Sequence, residues 1–469
     1  MNVPCSLAPI SRFRRAGAVR LAALLFLSGL TGCFSPEPKA VLPSLADSFT
    51  ELKKTVVELR GLPLKRDITQ EIVTPKGSQV APDQALTEQY GSAPLAVIER
   101  VYKSIGLLPL NSDLGKALAE YYRLEQLVAY NGVKGSIVTA PEAAQLGAAF
   151  ATTNPRAALE APVIFGIAQA LQEQHFNWQE RTRSILPEDR RQAFRAVASG
   201  DATLTALMHF SGNKTALRSA AEIETLSRFG AEIERLSFGL PDLLRHQLLF
   251  RYREGTEFVI WAYAAKGWQG VNGLFENPPL TTAQIIHPEK FFVRQEKPLR
   301  LFPWGLIRRM NYSAVVEQTI GESSLRGLLE AALGRKEAMA IASAWRGDQL
   351  LAFAEAGNLI TAWISSWASD QDAGQFHRVY QTVLERQQRV RFASVASGKN
   401  DTAMAETANG RSLLLQVKGS TVVLLTGLAP NTSLEVANDT WRDLEIDAES
   451  MIYPFDSARG PLQLSRTSR

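Results

Sequence analysis

Apolar positions along the chain switch between helical and strand periods. Leu52, Val56 and Leu59 fall at helical spacing in "SFTELKKTVVELRGL" (48–62), which Gly61 and Pro63 close. "DITQEIVT" (67–74) alternates apolar and polar and predicts a short strand. "SAPLAVIERVYKSIGLLPL" (92–110) and "LGKALAEYYRLEQLVAY" (114–130) read as helices broken at Gly106 and Pro109, and "NGVKGSIVT" (131–139) as a turn into a strand. From Arg156 to Phe250 the period is mostly helical. In "VIFGIAQALQEQHFNW" (163–178), Ile164, Ile167, Ala168 and Leu171 make one apolar face. Further helices are expected at Pro187–Phe210, Ala220–Leu236 and 239–252. "TEFVIWAYAAKGW" (256–268) reads as a strongly apolar helix.

Later segments change character. "FENPPLTTAQIIHPEKF" (275–291) carries Pro278, Pro279 and Pro288 and is expected to be largely irregular. Residues 317–385 read as helices alternating with short strand-like runs such as "LLAFAEAGNLITAWIS" (350–365). "RVRFASVAS" (389–397), "SLLLQVKG" (412–419) and "STVVLLTG" (420–427) read as strands, the last two meeting at Lys418-Gly419. The pattern shows no internal repeat and predicts an α+β, mainly helical fold. The expected divisions are a main domain at 48–388, a strand-rich part at 389–430 and a peripheral tail at 431–469.

The first residues qualify this picture. Arg12, Arg14, Arg15 and Arg20 precede the short apolar run "LAALLFLSGL" (21–30), the order of an export signal too short to span a bilayer. "LTGC" (30–33) follows and resembles the bacterial lipobox, which implies cleavage before Cys33 and diacylation of its thiol. Phe34, in place of an Asp, implies sorting to the outer membrane. Residues 33–47 then form a tether rich in Pro and polar residues. The formal charge of +4 contains those four arginines, so the processed chain has 4 − 4 = 0 and offers no basis for nucleic-acid binding. Cys5 and Cys33 are the two cysteines, so processing leaves no thiol for a disulfide, a thiolate metal site or thiol catalysis. No nucleophile elbow, P-loop or dinucleotide fingerprint is present.

Seven short stretches occur in a recognisable order: "ELRGL" (58–62), "QALQEQHF" (169–176), "SGDATL" (199–204), "GTEFV" (255–259), "PPLTTAQIIHPEKF" (278–291), "GESSLRGLL" (321–329) and "SAWRGDQLLAF" (343–353). Together they resemble a largely uncharacterised bacterial family of zincin-like, HExxH-type zinc metallopeptidases. The resemblance implies a zincin-like core and a zinc cofactor. In such proteins two histidines at i and i+4 converge on one ion, and the Glu between them activates the bound water. The family pattern is H-E-x-x-H-A-L-Q-D-Q-H-F, with a later E-G-D-A-T supplying a third ligand.

Carried over by position, the first His falls on Phe165, the base on Gly166, the second His on Gln169 and the third ligand on Ser199. Ala283 replaces a further family Glu. Phe165 has no lone pair and Gly166 no side chain, while Gln169 and Ser199 are weak neutral donors. The zinc expected for the family therefore lacks its ligands, and no cofactor is expected. The five histidines are His175, His209, His246, His287 and His377, and no two stand at i,i+3 or i,i+4. A residual site or groove would draw on His175, Asp201, His209 and His287. His287 reads as a buried hydrogen-bonding residue or a contact to a bound peptide, and Asp348 as a turn residue. The expected function is that of an envelope lipoprotein, catalytically inactive, binding a peptide or envelope protein or serving as a scaffold. The alternatives are an active metal-dependent hydrolase with non-standard ligands, and a structural protein whose cleft has closed.

Overall fold

A computed structural model describes residues 45–72, 93–151, 154–183, 187–212, 219–355, 357–395 and 401–448. The export signal, Cys33, most of the tether and residues 449–469 lie outside the described residues. The fold is α+β and mainly helical. In chain order, α1 (Leu45–Arg60), β1 (Thr69–Ile72), α2 (Leu95–Ser104), α3 (Leu114–Glu125), β2 (Val128–Asn131), β3 (Ser136–Thr139) and α4 (Ala143–Gly147) lead to α5 (Ala157–Phe176). The helical body continues with α6 (Trp178–Arg183), α7 (Glu188–Ser211), α8 (Ala220–Leu236), α9 (Asp242–Tyr252), α10 (Glu254–Glu276), α11 (Thr282–Ile286) and α12 (Pro288–Phe292). Next come β4 (Leu299–Pro303), α13 (Trp304–Arg309), β5 (Ala314–Gln318), α14 (Gly321–Leu333), α15 (Arg335–Ala342), β6 (Trp345–Glu355), β7 (Asn358–Trp367) and α16 (Asp370–Gln388). The chain closes through β8 (Ala393–Ser394), β9 (Asp401–Glu406), β10 (Ser412–Lys418), β11 (Thr421–Leu428), α17 (Ser433–Arg442) and β12 (Leu444–Ala448). No helix among the described residues is long and apolar enough to cross a membrane.

A small sheet of order β1-β3-β2 lies on α5, which also packs against α1 and α7. The second layer is an antiparallel sheet of order β5-β6-β7-β11-β10-β9-β8. Both of its faces are covered. Trp363, Leu424 and Leu415 meet Phe376 and Tyr380 of α16 on one side. Ile364, Val423 and Leu414 meet Val436 and Ala437 of α17 on the other. That double burial explains why "STVVLLTG" is a continuous apolar run and not an alternating one.

The structure departs from the sequence pattern at several points. The segment expected to be helical to residue 130 ends at Glu125, because Val128–Asn131 pair with β3. The proline-rich stretch 275–291 forms two short helices, one capped by Thr281 and one carrying Pro288 in its first turn, where its missing N–H is harmless. The short runs at 350–365 belong to two long strands. Strand β9 went unpredicted, since "DTAMAE" has Thr402 as its one branched residue among alanines and acids. The boundary expected at 388/389 runs through one sheet, because β5, β6 and β7 sit beside β11. The tail is not wholly peripheral: Val436 and Ala437 are buried, and β12 pairs with β4. A hairpin followed by a helix also occurs twice (β6-β7-α16 and β10-β11-α17), an order invisible as sequence repetition.

Asp348 joins the two layers. It sits in β6, fully buried, and is not a turn residue. Its carboxylate accepts from the Ile320 and Gly321 amides at the start of α14 (2.8 and 3.0 Å) and from the Trp345 and Trp363 indoles (3.0 and 2.9 Å). Asp348→Ala strands four buried donors and is expected to cost about 3 kcal/mol or more. Denaturant unfolding checks this, and a variant within error of the parent contradicts the assigned role.

Candidate functional site

Between Ala161 and Ala168 helix α5 is apolar and buried on all sides and not along one stripe. Phe165 is 7% exposed and packs edge-on to Phe150 (6.0 Å) and against Phe229 (5.5 Å). The imidazole position of the family pattern is thus part of an aromatic core. Gly166 faces β3, and a Cβ there would overlap the Ile137 side chain. A glutamate at this position would have to displace the strand residue.

Gln169 lies one turn after Phe165 on the same face. Its Oε1 accepts from the Tyr130 amide (3.1 Å), and Gln179 Nε2 donates to the Tyr130 carbonyl (3.2 Å). Tyr130 belongs to β2, an edge strand. Leu127 and Asn131 turn their carbonyls inward to the Ala140 and Gly135 amides, so Tyr130 presents its N–H and C=O outward. Two glutamine side chains therefore occupy the place where an added strand would pair. Ser199 is half-buried in α7, where its carbonyl accepts from Thr203 Oγ1 (2.8 Å).

The histidines and Asp201 do not converge. Asp201 takes a bidentate pair from Arg60 (2.9 and 3.1 Å) and a bond from Gln172 (3.0 Å), all fully buried. Arg60 also stacks on Trp268 at 4.3 Å. His175 Nε2 meets the Pro63 carbonyl (2.7 Å). His209 stands eight residues after Asp201, about 12 Å along the helix, and packs edge-on to Phe210. Burial holds its pKa below the ordinary 6.5, with Glu160 opposing. His287 ends α11 and is bonded to Glu322 Oε1 of α14 (2.8 Å), which Arg326 also grips. Among the described residues no group of three His, Cys, Asp or Glu could hold a metal ion. A cavity of about 10 Å³, room for one water, lies among Gln284, Lys290, Glu296 and Arg346. A surface groove of about 240 Å³ lies between α14 and α16. Neither borders α5.

Sequence reasoning centred on histidines and missed Arg60, Gln172, Asp189 and Glu322. Three of these stand inside the quoted stretches, and their signal was a charged or amide residue amid apolar neighbours. Asp189 accepts from the Thr282 amide (3.2 Å) and hydroxyl, and no basic side chain is among its bonded partners.

A family model described as a domain of unknown function (DUF8575) matches residues 308–437. The match encloses the seven-stranded sheet with α14 to α16. No curated protein and no solved structure matches the chain.

Two outcomes follow from the geometry. Gly166→Ala is expected to lower stability by about 1–3 kcal/mol through overpacking, read by denaturant unfolding; an unchanged midpoint contradicts the close approach. Burial raises the Asp189 pKa well above 3.8, and the nearby Asp348 and Glu322 add to it. An acid raised in the folded state contributes stability below its unfolded pKa and loses it as pH climbs through the folded value. Asp189→Asn is therefore expected to flatten the fall in melting temperature above about pH 4, and an equally steep calorimetric profile contradicts this.

Proposed function

We propose that this chain is a lipid-anchored envelope protein with a zincin-like core whose catalytic helix has become structural, and that it acts as a non-catalytic scaffold. The observation that carries the reading is the occupied face of α5. Phe165 is committed to an aromatic cluster, and Gln169 is committed to the Tyr130 amide. A zinc site needs strong donors where those side chains stand, and a peptide substrate needs a free strand edge where Gln169 and Gln179 bind. Both requirements fail at the same place.

The active-hydrolase alternative needs a compact cluster of His and carboxylates beside Gln169. Asp201 is neutralised by Arg60, and His175, His209 and His287 each face a different neighbour. The occupied face of α5 favours a scaffold role over capture of an extended peptide there. Proteins of this class would present other surfaces to their partners.

The test uses the full chain purified in detergent, equilibrated with zinc and then dialysed. Atomic spectrometry is expected to find substoichiometric zinc, and an unfolded protein substrate is expected to stay intact. Stoichiometric zinc together with chelator-sensitive proteolysis overturns the proposal.

A further inference from the structure

Helix α10 carries an apolar face that is left largely exposed among the described residues. Its first half, "TEFVIWAYAA", buries Phe258, Val259, Ile260 and Ala262. Trp261, Ala264 and Ala265, at i, i+3 and i+4, are exposed on the opposite side, Trp261 to 43%. The helix then breaks at Lys266-Gly267, where Gly267 takes φ 58°, so the exposed face ends at a corner. The end of α12 adds to the patch. Phe292 lies parallel to Trp261 at 6.4 Å and packs on Phe258 at 5.1 Å. Val293 follows it, 72% exposed.

Charges of both signs flank these rings: Glu257 stands exposed one turn before Trp261, and two exposed cations outnumber it. Lys266 stands at the corner and Arg294 directly after Val293, both exposed. An apolar cluster with a tryptophan at its centre and lysine or arginine at its edge matches the interfacial zone of an anionic bilayer. A stable protein interface uses roughly 20–30 residues a side, and this patch of five apolar side chains falls far short. Contact with lipid has no such size requirement, since the acyl chains expected on Cys33 supply the anchoring and a small second contact need only orient the body.

We propose that the Trp261–Phe292–Val293 face is a membrane-contact surface that seats on anionic phospholipid beside the anchored N-terminus. The inference rests on the envelope reading above for the presence of a bilayer, but not on the state of the zinc positions. Contact with lipid holds the body in one orientation, with Val293 entering the headgroup region and Lys266 and Arg294 meeting phosphates.

The test uses the full chain, with Val293→Cys carrying an environment-sensitive fluorophore, reconstituted into vesicles. Phe238→Cys, at an 80% exposed site on the turn between α8 and α9, serves as the control. In phosphatidylglycerol-containing vesicles the Val293 probe is expected to shift to the blue and to be quenched by brominated lipid. The control is expected to do neither, and Lys266→Glu with Arg294→Glu is expected to abolish the response. Equal behaviour of both probes overturns the proposal. A Val293 response independent of lipid charge that grows with protein density assigns the face to a second copy and also overturns it. The mass of the purified chain reports lipidation separately. An unlipidated chain whose Val293 probe still responds to added anionic vesicles upholds this surface and refutes only the anchor.

Discussion

The contact between α5 and the small sheet constrains everything around it. Gly166 lets the helix approach until the Ile137 side chain fills the space above it. At that separation Gln169 reaches the Tyr130 backbone, and Phe165 turns into the cluster of Phe150 and Phe229. Phe165, Gly166 and Gln169 are therefore one packing solution. A glutamate at 166 would push the strand away and break the bond at 169. A polar group at 165 would enter an aromatic core without a partner, at a cost of roughly 1–3 kcal/mol.

Buried charge organises the rest. Arg60 and Asp201 tie α1 to α7 with both side chains removed from water. Breaking such a pair by removing one partner leaves a buried charge and costs about 3–5 kcal/mol. Asp348 ties the seven-stranded sheet to α14, and Asp189 ties α7 to α11. These residues account for four of the quoted stretches: "ELRGL", "SGDATL", "GESSLRGLL" and "SAWRGDQLLAF" are joints of the framework.

Much of the helical body was legible from periodicity alone. The segments at 187–210 and 220–236 match α7 and α8 within a residue or two, since each has a strong period and clear ends. Strand pairing was harder to read. Val128–Asn131 continues a helical pattern and becomes β2 only because β3 lies beside it. The seven-stranded sheet pairs residues as far apart as Thr361 and Thr426, and its double burial removes the alternation that marks an ordinary antiparallel strand. At the candidate site, the sequence singled out Phe165, Gly166, Gln169 and Ser199. It held no sign of what replaced them, because Gln169 finds its partner 39 residues away in a strand that local patterning hid.

The central claim is that Gln169 serves the Tyr130 backbone and not a metal. Hydrogen–deuterium exchange of the Tyr130 amide, with and without zinc, tests it most directly. The account predicts slow exchange in the parent, faster exchange in Gln169→Ala, and no change when zinc is added. Rapid exchange in the parent, or protection that appears only with zinc, would contradict it.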